Sequence, residues 1–267
     1  MRDAKPAWRR ADMIFRRISE HVKAQNWFAV AIDFVIVVVG VFIGIQVANW
    51  NVARADRAAE AVYLSALELD VVSSIKKLER FNANLEAQEK ARAALYAYSL
   101  DPAATLQNSE RNRLLSHAVF YLPSLNLNQV TFDTLKSSGD LRLIRSKQLV
   151  AALQTVSAQA ADLLVLQADE FQITYMFSDP MLVDDFDMRS IFQEQGLDRE
   201  VAIPWLPKDR IAFVEPPSIK TRRFRNILLY RSYFTESRRI GVRTMLEQHR
   251  RIARLIDERQ RALGVPE

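Results

Sequence analysis

The chain of 267 residues contains no cysteine. That excludes disulfides, thiolate metal sites and a cysteine nucleophile. Glycine is also scarce, with 6 residues, and proline has 9, too few for an all-β chain broken by frequent turns. Only three histidines occur, His21, His117 and His249, widely spaced. There is no His-Glu-x-x-His, Gly-x-Ser-x-Gly or dinucleotide fingerprint. The sequence therefore names no catalytic residue, no cofactor and no metal site. A hydrolase using paired carboxylates needs no local signature and stays as the weakest functional reading.

Charge of one sign is missing locally rather than globally. Residues 151–200 hold ten acids against Arg189 and Arg199, whereas residues 220–267 hold thirteen Lys or Arg against five acids. The net charge of +5 hides this division, and segment balance is the useful quantity.

One long apolar run stands out. Residues 27–48 contain fourteen Val, Ile or Phe, and 22 helical residues at about 1.5 Å each match a hydrocarbon core of about 30 Å. Each of those side chains favours insertion by roughly 0.3–0.6 kcal/mol, and Asp33 costs at most about 3 kcal/mol. Insertion wins. Trp27, Asn49, Trp50 and Asn51 sit where two membrane interfaces would fall. The run is longer than the 7–15 apolar residues typical of a cleaved signal core, so a retained anchor is expected despite the Ala53-Arg54-Ala55 pattern. Arg9, Arg10, Arg16, Arg17 and Lys23 precede the run and place residues 1–26 in the cytoplasm.

Three segments follow: a basic tail (1–26), a transmembrane helix (27–50) and an extracytoplasmic α-helical domain (51–267). In a bacterium this is a single-pass inner-membrane protein with a periplasmic domain. In the tail, Trp8, Ala11, Phe15, Ile18 and Val22 share one helical face beside basic residues. That suits an interfacial amphipathic helix; a partly ordered topogenic tail is the equal alternative.

Within the span Ala29, Asp33, Gly40 and Gly44 fall on one face. Gly40 and Gly44 form a GxxxG, which permits close helix approach, and a neighbouring acid can hydrogen-bond across such a seam. A hydrated acid near the interface is the alternative. The segment DFVIVVVGVFIGIQVANWN (33–51), followed by TFDTLKSSGDLRLIRSKQLVAAL (131–153), resembles a bacterial family of single-pass membrane proteins recorded only as a domain of unknown function. The resemblance covers roughly the first 150 residues. It implies a membrane-anchored helical protein and brings no activity with it.

The remainder reads as all-α. Residues 52–99 lack proline and glycine, and Leu64, Val71, Leu78 and Leu85 recur as heptads, with Leu67, Phe81 and Leu95 on the alternate row. Ser74 and Gln88 interrupt that row. The helix is expected to pack inside an intramolecular bundle with two long helices; a short parallel coiled coil is the alternative. Leu100-Asp101-Pro102 should end it. Ser109 should open a second helix and Asn128 a third, stopped by Gly139. Ser146 should start a fourth, with Leu149, Leu153, Val156, Ala160 and Leu163 as its core face. Asp187 is expected to cap a short helix ending at Gly196, with Asp184 and Asp185 solvated. Trp205 lies in a proline-punctuated connection and is expected to pin it, although an exposed recognition aromatic is the alternative. A final helix from Pro216-Pro217-Ser218 to Gly264 would run about 65 Å.

That last helix carries Arg222, Arg223, Arg225, Arg238, Arg239, Arg250 and Arg251. Nucleic acid is the usual reading of such a run, and the expected extracytoplasmic side argues against it. Two functional readings remain in front of the hydrolase. The first is a self-associating scaffold or accessory protein whose partners are the lipid bilayer and either a second copy (a homo-oligomer) or another membrane protein. The second is a module binding anionic lipid or envelope polymer through the arginine helix.

Overall fold

A computed structural model describes residues 27–127, 129–195, 204–207, 209, 211 and 214–264. The basic tail, Asn128, Gly196 and Pro266 lie outside the described residues. Every regular element is helical and no strand occurs among the described residues. The chain divides into two compact units, Met1–Ala58 and Ala59–Glu267.

In the first unit the described residues form the opening part of helix α1, Trp27–Leu100. Its apolar side chains are uncovered; Phe28 is 73% exposed and Phe34 69%. By length and composition this segment is a candidate membrane span.

The second unit contains the rest of α1, then α2 (Asn108–Leu115), α3 (Val130–Ser138), α4 (Lys147–Ile173), α5 (Asp179–Asp185), α6 (Met188–Gln195) and α7 (Arg222–Leu263). A π-helical turn, Ser116–Phe120, prolongs α2, and another, Thr174–Ser178, joins α4 to α5. The stretch from Lys147 to Asp185 is also long and apolar enough to cross a membrane. Its apolar stripe, Leu149, Ala152, Leu153, Val156 and Leu163, lies instead in the core of the unit.

The heptad row of α1 is buried by the chain's own helices. Leu64, Leu67, Val71, Leu78, Phe81 and Leu85 share a core with Phe132 and Leu135 of α3, the stripe of α4, and Val242, Met245, Leu246, Ile252 and Ile256 of α7. Ser74 and Gln88, which interrupt the row, are buried too. A second core gathers Leu95 and Tyr98 of α1, Leu114 and Leu115, Met181 and Leu182, Ile191, and Phe224, Ile227 and Leu228 of α7. Along both long helices the two apolar cores are separated by a buried polar layer.

Cross-helix bonds define the directions. Glu60 meets Arg259, Glu79 meets Arg250, Arg92 meets Thr235 and Ser99 meets Arg225. Partner numbers fall along α7 as they rise along α1, so the two run antiparallel. α4 also opposes α7: a Cβ on Gly241 would come 2.7 Å from Leu163 Cδ2. Glycine inside a helix costs about 1 kcal/mol relative to alanine, and here that cost permits close approach of α4.

The ends of the helices follow the sequence unevenly. Gly139 takes the left-handed conformation after α3, with φ of 77°, which glycine adopts without a steric cost. Ser146 Oγ accepts from the Leu149 N–H, Asp187 Oδ1 accepts from the Arg189 N–H, and Gly264 closes α7. Gln107, not Ser109, precedes α2, and Thr221, not the Pro-Pro-Ser segment, caps α7. At α3 the Thr131 N–H donates to Asp70 Oδ2 at 3.0 Å, so a side chain of α1 caps a distant helix. Trp205 is 80% exposed; it does not pin its segment.

Glu60 fastens the lower part of the unit. It is fully buried and accepts from Arg259 Nε and Nη2, at 2.9 and 2.8 Å, and from the Arg145 N–H at 2.8 Å. Burial opposes its charge, but these donors outweigh it and hold the carboxyl below the usual 4.5. The folded state therefore binds this proton less readily than the unfolded chain. Its contribution is complete above pH 4.5 and is lost as pH falls through the lowered folded value. Glu60→Gln should lower the melting temperature at pH 7, and the gap from wild type should narrow below about pH 4.5; calorimetry across pH checks this. Gly241→Ile should cost about 1–3 kcal/mol by overpacking against Leu163, read by urea unfolding of the chain in lipid nanodiscs.

Candidate functional site

Three features of the described residues have chemistry beyond packing: the polar layer between the cores, the arginines of α7, and the uncovered face of α1.

The polar layer is built from Arg92 of α1, Glu170 of α4, and Arg231, Thr235 and Arg238 of α7, all at most 1% exposed. Arg238 pairs directly with Glu170, while Arg92 and Arg231 approach the same carboxylate at 3.8 Å. Arg92 also pairs with Glu89 and donates to Thr235 Oγ1 at 2.6 Å. Arg238 lies 4.9 Å from the centre of the Phe81 ring, a favourable cation–π distance.

The arginines also serve the end of the π-helical turn Ser116–Phe120 and the connection that follows it. Arg92 Nε donates to the Ala118 carbonyl at 3.1 Å, and Arg231 donates to the carbonyls of Val119 and Tyr121. Arg238 donates to the Pro123 carbonyl at 2.6 Å, and Gln88 to that of Tyr121 at 2.6 Å. Buried carbonyls without such donors would each cost about 1–3 kcal/mol. The planar guanidinium can serve a carboxylate and a carbonyl together, which an ammonium does less well.

Burial is the largest influence on Arg231, with Arg92 and Arg238 acting in the same direction, and it is pushed down to about 9. It remains charged at neutral pH. Burial likewise lowers Arg92, opposed by Glu89 and Glu170. Asp179, near Arg231, is raised by burial. Charge in the layer is thus compensated internally, by Glu170, Glu89 and Asp179 against the three arginines.

The arginines singled out from the sequence separate into two groups. Arg238 is inside the polar layer. Arg225 donates to the carbonyls of Ser99 and Lys220, Arg239 pairs with Glu236, and Arg250 pairs with Glu79. Lys220 joins Arg225 at the end of α1, donating to the carbonyls of Tyr98, Asp101 and Ala104. The Tyr98 and Ser99 carbonyls belong to the last turn of α1, a helix end that favours positive charge, and those of Asp101 and Ala104 follow it. Arg222, Arg223 and Arg251 are exposed. The basic run is therefore not a continuous solvent-facing stripe.

On α1, Ala29, Asp33, Gly40 and Gly44 are all exposed. A Cβ on Gly40 or Gly44 would meet nothing within 4 Å. Trp27 and Trp50 are 62% and 59% exposed, Asn49 and Asn51 are exposed, and the Arg54 guanidinium lies 5.9 Å from the Trp50 ring centre.

Comparison with protein-family models, curated proteins and solved structures found no match. The residues that sequence reading passed over are Arg92, Glu170, Arg231 and Thr235. Gln88 carried the available signal, because a polar residue in a heptad row marks a polar layer when its neighbours are buried.

Glu170→Gln should destabilise the chain by about 3–5 kcal/mol, because it leaves buried arginines with less compensating charge. Urea unfolding followed by circular dichroism should show the midpoint shift, and a surface control, Asp169→Asn, should leave it within about 0.5 kcal/mol.

Proposed function

We propose that the chain is a single-pass membrane protein of the bacterial envelope whose helical bundle acts by interaction, as a scaffold or accessory subunit, and not by chemistry. The observation that carries this reading is the uncovered apolar part of α1. So large an apolar surface needs lipid or protein to cover it. Its 22-residue apolar run suits a bilayer at about 1.5 Å per residue. In this reading residues 1–26 lie in the cytoplasm and the second unit in the periplasm, according to the excess of Lys and Arg before the span. The resemblance at 33–51 and 131–153 supports the same membrane-anchored class.

Self-association runs through Ala29, Asp33, Gly40 and Gly44. The open space beside both glycines leaves room for the backbone of a second helix. The partner is a second copy or another membrane protein with a small-residue face.

Two measurements test the reading. Single cysteines at Ser19 and Ser109, in a chain with no native cysteine, should react differently with a membrane-impermeant maleimide on intact cells. Labelling at Ser109 alone supports the topology; labelling at Ser19 alone reverses it. Gly40→Ile and Asp33→Leu should each reduce cross-linked dimer severalfold in membranes, and unchanged dimer would remove this seam from the proposal.

A further inference from the structure

A groove of about 800 Å³ opens where the end of α4 meets the start of α7. Its apolar walls are Ile173 and Phe177 on one side and Ile227 and Tyr230 on the other, with Arg222 and Arg223 at its edge. The volume lies within the roughly 300–1,000 Å³ that holds small ligands, and apolar walls with a few polar groups are their usual lining. Phe177 belongs to the π-helical turn Thr174–Ser178, an insertion common at functional sites.

The two arginines are neighbours at the groove, whereas Arg251, exposed like them and also singled out on α7, lies far along the helix. Most of the helix's other singled-out arginines hold a carboxylate or a carbonyl. Among the described residues Arg222 and Arg223 have no ion pair and no hydrogen bond from their side chains, and both are exposed. Positive charge beside an aromatic-lined apolar cleft is complementary to one kind of molecule. It must have an apolar body and an anionic head.

Isolation of the pair also sets the size of the ligand. A polyanion would need a continuous run of free cations. Arg225, Arg238, Arg239 and Arg250 are already engaged, and the exposed Arg251 and Arg254 lie roughly 40 Å farther along the helix at about 1.5 Å per residue. The groove lies beside the Ser99 end of α1, since Arg225 bonds the Ser99 carbonyl at 2.9 Å. Within the second unit that is the end remote from Glu60.

We propose that this groove is a binding site for a diffusible amphipathic anion, its apolar chain between Phe177 and Tyr230 and its phosphate or carboxylate head on Arg222 and Arg223. This site does not depend on the transmembrane seam or on the topology.

Asn226 lines the groove, is exposed, and can become a reporter as the chain's single cysteine. The test uses the full chain with Asn226→Cys in nanodiscs of zwitterionic lipid, alkylated by iodoacetamide. Decyl phosphate should slow alkylation at least about tenfold, in line with roughly 1.4 kcal/mol of binding per decade. Decanol at equal concentration should slow it far less. Arg222→Ala with Arg223→Ala should abolish the protection, and the paired lysine substitutions should keep most of it. Tyr230→Ala should weaken it without requiring any change in charge. A reporter at Ser65→Cys, on the exposed side of α1, should be unaffected by either compound. Equal protection by decanol, protection that survives loss of both arginines, or no protection would overturn the proposal. Protection by dextran sulfate without protection by decyl phosphate would also overturn it, in favour of a polymer surface.

Discussion

The buried carboxylate of Glu170 makes the polar layer of the second unit electrostatically possible. Three fully buried arginines from two long helices surround it. Each guanidinium removed from water without a counter-charge would carry a desolvation cost of several kcal/mol. Glu89 at the edge and Asp179 near Arg231 share the compensation. The same arginines supply donors to the carbonyls of Ala118, Val119, Tyr121 and Pro123. One layer therefore holds three helices and the start of the connection from α2 to α3.

The layer also explains why the unit has two apolar cores. Leucine rows alone tolerate sliding of one helix along another, because one apolar neighbour can replace the next. Sliding α7 by a turn would move Arg231 and Arg238 away from Glu170 and the loop carbonyls. A polar layer of this kind can set helix register, a role well attested for buried polar groups in helical assemblies. Glu60 with Arg259 and Arg145 adds a second fixed point in the first core's half of the pair, and Lys220 with Arg225 adds a third at the end of α1.

Some of this was legible from local chemistry. The heptads of α1, the left-handed Gly139, the Ser146 cap, the Asp187 cap and the stop at Gly264 depend on residues within a few positions of one another. Other features escaped because their partners are remote. Asp70 caps α3 from 61 residues away, and nothing near Thr131 announces it. Trp205 was expected to be packed because of its neighbouring prolines, yet burial depends on what crosses above it, and it stays exposed. The arginines of α7 look alike in sequence. Whether each meets a carboxylate, a carbonyl or water is decided by which side of the helix faces α1 and α4.

By itself the sequence determined the helical class, the long apolar segment and the residues that share a helical face, because these depend on composition and on a period of 3.6 residues. Tertiary structure alone decided that the heptad row is covered within the chain and that Arg92, Arg231 and Arg238 are interior. It also decided that Arg222 and Arg223 remain free beside an apolar groove. Charge has no fixed role along a chain; its role follows from the dielectric and the partners that folding places around it.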